Sequence, residues 1–189
     1  MSMLSYADRT SPIHRGVFLA RSILGNVLKP PVNAIAPLSA TIHPELTTRE
    51  RVALQTKASA CQTCHAMINP LGFALEEYDA LGRLRITEDR NGRSMPINAE
   101  GNYQPRIGKE TSFYGGRELG HFLSINRDAT ETFVQSLFHA LVKQPLEAWG
   151  RDALGQLTDR FVSKKYSIRK LIIEIALVMT KPTKSTSND

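Results

Sequence analysis

Cys61, Cys64 and His65, in the stretch ACQTCHAMINPLGF, have the residue types and the spacing of a haem attachment site. Covalent attachment needs two thiols that reach the vinyl groups of one porphyrin, and an imidazole that reaches its iron. A C-x-x-C spacing on a helical turn places both sulfurs on one side, with the adjacent histidine under the ring plane. The pattern therefore predicts one covalent haem c, held by Cys61 and Cys64, with His65 as an axial iron ligand.

Other chemistries use the same residue types, and they remain as alternatives. A structural zinc site needs four ligands, but the chain has only two cysteines, and His121 and His139 are far apart in the sequence. A thioredoxin-like dithiol is expected within a βαβ unit, and the sequence shows no such pattern. A plain disulfide between the two cysteines is the remaining alternative.

The composition is that of a folded globular protein. The 189 residues are 41% hydrophobic and carry a formal net charge of +6. Because the basic residues are dispersed, we expect a solvated surface that helps to dock an acidic redox partner, and no nucleic-acid partner. No apolar run approaches the ~20 residues of a membrane span, so we expect no transmembrane segment. The N-terminus does not have the pattern of a signal peptide.

The first part of the chain predicts helices joined by an extended segment. Residues 13–24 have a helical pattern that ends at Gly25, and the proline-rich residues 28–44 predict an extended strap. Thr47 and Glu50 have the spacing of a capping box, which predicts a new helix. The cysteine segment is expected to continue as a helix that ends near Asn69 and Pro70. A second short helix is then predicted over 72–81, closed by Gly82.

The rest of the chain predicts a small β-hairpin and then more helices. The dipeptide Asn91–Gly92 is a strong turn signal between short strands. Residues 101–116 are rich in loop-forming types and contain a soft domain boundary. Four helices are predicted after them, over residues 117–125, 128–143, 153–163 and 167–180.

The residues around the cysteines resemble the planctomycete-type cytochrome c family. The family pattern is C-x-x-C-H and then I-[ND]-P-[LI]-G-F-x-L-E-x-[FY]-D-A-x-G-R, and this chain reads CHAMINPLGFALEEYDALGR over 64–83. NGRSMPINAEG resembles the family's N-G-x-P-I-[DN]-A-x-G segment, with two additional residues before the proline. FVQSLFHALVKQPLEAWG and SIRKLIIEIA resemble its small C-terminal helical domain. The resemblance covers residues 8–179.

Further residues are candidates for roles around the haem. The acceptor that fixes the second ring nitrogen of His65 is expected at Asn69–Pro70. Met95 is the main candidate for the second axial ligand, and His139 and His121 are further candidates. Phe73 and Tyr78 are expected to pack on the porphyrin. Arg83 and Arg85 are candidates for pairing with the haem propionates.

Together these observations predict a mostly α protein. A c-type cytochrome-like haem domain with a β-hairpin insert is expected over 9–106, a small helical bundle over 113–181 and a disordered tail over 182–189. The expected function is one-electron transfer to an unidentified partner protein rather than enzyme catalysis, because no catalytic motif stands out. The resemblance also implies missing upstream domains and an exported or periplasmic location. The alternatives are a haem-bearing appendage of a larger exported enzyme and a non-redox helical interaction module.

Overall fold

The structure is a computed structural model of the 189-residue chain, and it describes residues 4–6, 9–29 and 42–180. The chain forms two compact units, Met1–Asn126 and Arg127–Asp189. The described residues contain seven α-helices and two small antiparallel sheets, so the mostly α prediction is confirmed. Most of the predicted strap and the whole predicted tail lie outside the described residues.

The first unit begins with three helices. Helix α1 spans Pro12–Phe18 and continues into a π-helical turn, Leu19–Ile23. Helix α2 spans Thr48–Gln55, and helix α3 spans Ser59–Phe73. The capping box at α2 is confirmed, because Thr47 accepts from the Glu50 backbone N–H while the Glu50 side chain accepts from the Thr47 N–H.

Helices α1 and α3 touch through two glycines. A Cβ atom added to Gly16 would lie 2.0 Å from the carbonyl oxygen of Ile68, and one added to Gly72 would lie 2.0 Å from that of Pro12. These distances are far below van der Waals contact, so the two backbones approach as closely as they do because neither position has a side chain. The contact fixes α3, which carries both cysteines, against α1.

Helix α3 runs through Pro70, and the predicted helix end at Asn69–Pro70 is wrong. Proline removes one backbone donor, but the helix continues for three more residues and the Pro70 carbonyl accepts from the Ala74 N–H at 3.3 Å. The second predicted helix, 72–81, is wrong: residues 72–73 end α3, and residues 74–81 are mostly turns.

A buried arginine explains why the chain turns after α3. Arg15 has no exposed surface, and its guanidinium donates to the backbone carbonyls of Leu75, Tyr78 and Asp79 at 2.7, 2.7 and 2.8 Å. These carbonyl groups point toward α1 and not along the axis of a continued α3. The guanidinium therefore serves as a cap supplied by another part of the chain.

The buried carboxylate of Glu76 lies beside Arg15 and forms a cluster with it, Thr10 and Arg85. Glu76 accepts from the Thr10 hydroxyl at 2.8 Å and lies 3.5 Å from Arg15 and 3.3 Å from Arg85. Burial raises the pKa of Glu76, although the Thr10 hydroxyl and the two guanidinium groups act in the opposite direction. The cluster ties three sequence segments together beneath the α1–α3 contact.

Two hairpins and a helix complete the first unit. Strands β1, Thr87–Arg90, and β2, Arg93–Pro96, form the predicted hairpin. Its turn residues, Asn91 and Gly92, have φ values of 50° and 74°, as a type I′ turn requires.

A second hairpin occupies the stretch that was predicted to be loop. Strand β3, Glu100–Tyr103, pairs with β4, Thr111–Tyr114, and helix α4, Gly115–Ile125, follows directly. Gly101 allows β3 to lie against α3, because a Cβ there would be 2.4 Å from the Pro70 carbonyl oxygen. Phe122 on α4 packs on Tyr103 and Phe113 of this hairpin, so α4 lies in the first unit, whereas the predicted second domain, 113–181, included it.

The second unit contains helices α5, Arg127–Val142, α6, Ala153–Ser163, and α7, Ile168–Met179, with a 3-10 turn at Leu146–Trp149. The predicted bounds of α6 are confirmed. The core consists of buried apolar side chains from all of these elements: Val134, Phe138, Leu146, Ala153, Leu157, Phe161, Leu171 and Ile175. No helix in the described part of the chain has the length and apolar character needed to cross a bilayer.

Candidate functional site

Cys61, Cys64 and His65 lie in the first two turns of α3, on the half of the helix that is near the surface. All three are half-buried, and both thiols are free. Residues three and four apart on a helix are neighbours, with Cβ atoms about 5–6 Å apart. Cys61 is therefore next to both Cys64 and His65 on one side of α3. The structure brings the three predicted residues together on an accessible surface.

The ring of His65 is held by a side chain one helical turn further on. His65 Nδ1 lies 2.9 Å from Asn69 Oδ1. Asn69 is buried, and its Nδ2 donates to Thr56 Oγ1 at 2.9 Å. The Thr56 hydroxyl in turn donates to the Val52 carbonyl at 2.8 Å. This relay connects the histidine to the C-terminal end of α2.

The relay fixes the tautomer of His65. Because the Thr56 hydroxyl proton is used on Val52, Thr56 Oγ1 must accept from Asn69, and the Asn69 amide oxygen therefore faces the histidine. His65 Nδ1 then carries the proton, and Nε2 has a free lone pair. A histidine in this state is ready to bind a metal through Nε2. The acceptor expected at Asn69–Pro70 is the Asn69 side chain.

The two halves of α3 have different surroundings. From Ser59 to Met67 every residue is half-buried or exposed, whereas Ile68, Asn69, Leu71, Gly72 and Phe73 are buried. The buried half makes the helix rigid through its contacts with α1 and β3. The accessible half presents the two thiols and the imidazole.

A zinc site gains no support from the arrangement. Among residues 4–6, 9–29 and 42–180, no group of three or more His, Cys, Asp or Glu side chains is placed to hold a metal ion. The three residues on α3 lack the further protein ligands that a structural zinc ion needs.

Met95, the candidate second axial ligand, lies on β2, and its hairpin partner contacts the start of α2. It pairs directly with Glu88 across the β1–β2 hairpin, so both side chains lie on the same face. Glu88 accepts from the Thr48 backbone N–H and hydroxyl at 3.0 and 2.8 Å, at the start of α2. Thr56 follows eight residues later, which corresponds to about 12 Å along a helix.

The candidate packing residues all contact other parts of the first unit. Phe73 is 5% exposed, and the guanidinium of Arg49 lies 4.4 Å from its ring centre. Tyr78 is half-buried, and a Cβ on Gly116 would lie 2.6 Å from its ring. Pro70 is half-buried, and its carbonyl faces Ala74 and Gly101.

The two candidate arginines pair with acidic residues of the chain itself. Arg83 Nε donates to Asp79 at 2.7 Å, with its side chain 75% exposed. Hydrogen bonds from the Arg83 and Leu81 backbone N–H groups and from the Arg83 side chain lower the pKa of Asp79 to about 2. Arg85 donates to the Glu76 carboxylate and to the Glu76 carbonyl. Arg85 thus belongs to the buried cluster around Arg15.

Sequence reasoning did not identify Thr56 or Arg15. The spacing of Asn69, four residues after His65, is a local signal for the first hydrogen bond of the relay. The Thr56–Asn69 contact and the contacts of Arg15 with the carbonyls after α3 have no such signal, since these partners are 13 and at least 60 residues apart in the chain.

The first unit is thus a small helical domain that presents a C-x-x-C-H segment on a firmly packed helix. Residues 1–88 match the family model PSCyt3, described as a protein of unknown function (DUF1588), a planctomycete cytochrome-type domain. The match includes α1, α2 and α3 and ends within β1. No curated protein and no solved structure matches the chain.

Removing the Asn69 side chain is expected to change the tautomer of His65. In Asn69→Ala the imidazole loses its acceptor, so Nδ1 is no longer the preferred site of the proton. The free energy of unfolding should fall by about 1–3 kcal/mol, because Asn69 is buried and hydrogen-bonded on both sides. Long-range ¹H–¹⁵N spectra of the imidazole measure the tautomer, and urea denaturation measures stability.

Two further variants make this result specific. Thr56→Val should weaken the tautomer preference in the same direction, since the valine cannot accept from the Asn69 amide. Asn98→Ala, at an exposed position, should leave the His65 spectrum unchanged. An unaltered tautomer in Asn69→Ala would contradict the relay.

Proposed function

We propose that the first unit is a c-type cytochrome domain that binds one haem c through Cys61 and Cys64, with His65 as the axial ligand, and carries single electrons. The observation that supports this most strongly is the hydrogen bond from His65 Nδ1 to Asn69, which leaves Nε2 free as a ligand. The two thiols lie on the same side of α3, as attachment to one porphyrin requires.

In such a domain, the residues of the chain would have different roles. Cys61 and Cys64 hold the haem, and the haem supplies a one-electron iron couple. Asn69 orients His65 and makes it a stronger ligand by accepting its Nδ1 proton. The α1–α3 glycine contact supports the helix that carries all three residues.

The family match supports this proposal, because it spans the segment with both thiols and the histidine. Met95, which pairs with Glu88 across the β1–β2 hairpin, stays the candidate for the second axial position. We further propose that the chain acts in an exported or periplasmic compartment, where haem attachment takes place, with a partner protein as electron donor or acceptor.

The proposal is tested by producing the chain together with a c-type haem attachment machinery. We expect a pyridine haemochrome spectrum of the c type and a covalent mass increment of one haem per chain. A value of one covalent haem per chain is expected, because the chain has a single C-x-x-C-H segment. A well-folded product without covalent haem would contradict the proposal and favour the non-redox interaction module.

A further inference from the structure

Helix α7 has an apolar surface on the side that faces away from the core of the second unit. Leu171 and Ile175 are 1% exposed and pack inward, whereas Ile172, Ile173 and Leu177 are 42%, 53% and 52% exposed. Ile173 and Leu177 are four residues apart and therefore neighbours on the helix. A surface helix normally has polar residues opposite the side that faces the core, so this exposed apolar side of α7 has the character of an interaction surface.

The only acidic residue of α7 is directed away from this surface. Glu174 is 17% exposed and accepts from Arg160 Nη1 at 2.8 Å. The exposed charges at the start of the helix are all positive. They are Lys164, Lys165, Arg169 and Lys170, and none of them forms an ion pair with another residue in the part of the chain that the structure describes.

The turn that leads into α7 presents these cations in an uncommon backbone conformation. Lys165 and Tyr166 have φ values of 54° and 55°, in the left-handed region that side chains usually avoid. The turn is held by the Tyr166 N–H, which donates to the Phe161 carbonyl at 3.0 Å, and by edge contact between the two rings. Such conformations cluster at functional positions. Here they leave Tyr166, which directly follows two lysines in the chain, 46% exposed.

The geometry points to the outer side of α7, with Tyr166 and the four cations at its start, as a surface that docks on an anionic lipid bilayer. A convex apolar ridge beside same-sign charges is the arrangement of interfacial helices. Three of the four cations are lysines, which are depleted at protein–protein interfaces but favoured by anionic lipids. Tyrosine is likewise common at the level of lipid headgroups.

Vesicle binding by the full 189-residue chain tests this inference. In co-sedimentation, partitioning onto vesicles of phosphatidylcholine with phosphatidylserine should exceed that onto pure phosphatidylcholine by about tenfold or more at low salt. At about 0.5 M NaCl the difference should largely disappear, because the charges are screened. Lys164→Gln with Lys165→Gln should lower binding to the anionic vesicles by about tenfold.

Matched variants separate the contribution of the exposed apolar side chains of α7 to vesicle binding from a general effect of substitution. Ile173→Gln with Leu177→Gln removes exposed apolar groups without opening the core, and it should abolish binding. Leu141→Gln, at a leucine on α5 with a similar exposure of 49%, should bind as the native chain does. Lys109→Gln with Lys143→Gln serves as the control for lost charge.

Three outcomes would overturn the inference. One is equal binding to both kinds of vesicle, and another is binding that survives Ile173→Gln with Leu177→Gln. The third is self-association in light scattering that the same double variant abolishes, which would assign the surface to a second copy of the chain. The test does not depend on haem, so its failure leaves the proposed function intact.

Discussion

Replacing both Cys61 and Cys64 with alanine is expected to reduce covalently bound haem from one per chain to none. These are the only two thiols in the sequence, so no other residue can form the thioether bonds. Both side chains are half-buried near the surface of α3 and form no disulfide, so the double variant should keep its fold. We expect its free energy of unfolding to change by less than about 1 kcal/mol.

Haem staining after denaturing electrophoresis and intact-protein mass measure the covalent loss, and circular dichroism measures the fold. Thr63→Ala is the matched control, because Thr63 is exposed between the two cysteines on the same helix and should retain full haem content. His65→Gln should keep the covalent attachment while changing the absorption spectrum, since it removes only the iron ligand. Covalent haem in the double cysteine variant would disprove the attachment site.

Replacing Gly72 with alanine is expected to destabilise the first unit by about 3 kcal/mol or more. The new Cβ would lie 2.0 Å from the oxygen, 2.7 Å from the carbon and 3.1 Å from the Cα of Pro12. All three atoms are backbone, so no side-chain rotation relieves the clash, and α1 must move away from α3. That movement also disturbs Arg15 and the three carbonyls to which it donates.

Gly120→Ala is the control for this prediction. Gly120 lies within α4 with no atom within 4 Å of an added Cβ, so alanine there should stabilise the helix by up to about 1 kcal/mol. Hydrogen exchange of α1 and α3 amides reports the first unit. Fluorescence of Trp149, the single tryptophan, reports the second unit and should not change. Equal changes in the free energy of unfolding for Gly72→Ala and Gly120→Ala would show that the close backbone contact at Gly72 does not determine the stability of the first unit.

Features encoded by a few neighbouring residues were predictable. The capping box of Thr47 and Glu50 starts α2 where the sequence places it, and Asn91 and Gly92 form the turn between β1 and β2. The C-x-x-C-H spacing placed Cys61 beside His65 on one side of a helix. In each case the deciding interactions lie within about four residues along the chain, so the local pattern is sufficient.

Features that depend on distant parts of the chain were not predictable. The sequence did not show that α3 continues through Pro70, or that a second hairpin forms over residues 100–114. It also did not show that Phe73 packs under Arg49 or that Arg85 pairs with buried Glu76. These outcomes follow from contacts between segments that are separated by many residues, and they are set by the packing of the whole unit.

The sequence by itself determined the class of elements, most of the helix ends in the second unit to within one residue, and the grouping of Cys61, Cys64 and His65 on one helix. Only the tertiary structure decided how those residues are supported. Arg15 reaches carbonyls more than 60 positions ahead in the chain. Thr56 fixes the Asn69 amide across 13 residues, and through it the proton of His65. The spacing of residues along the chain shows which side chains share a helix face. Which ring nitrogen of His65 carries the proton depends on hydrogen-bond partners that only the folded chain brings within reach.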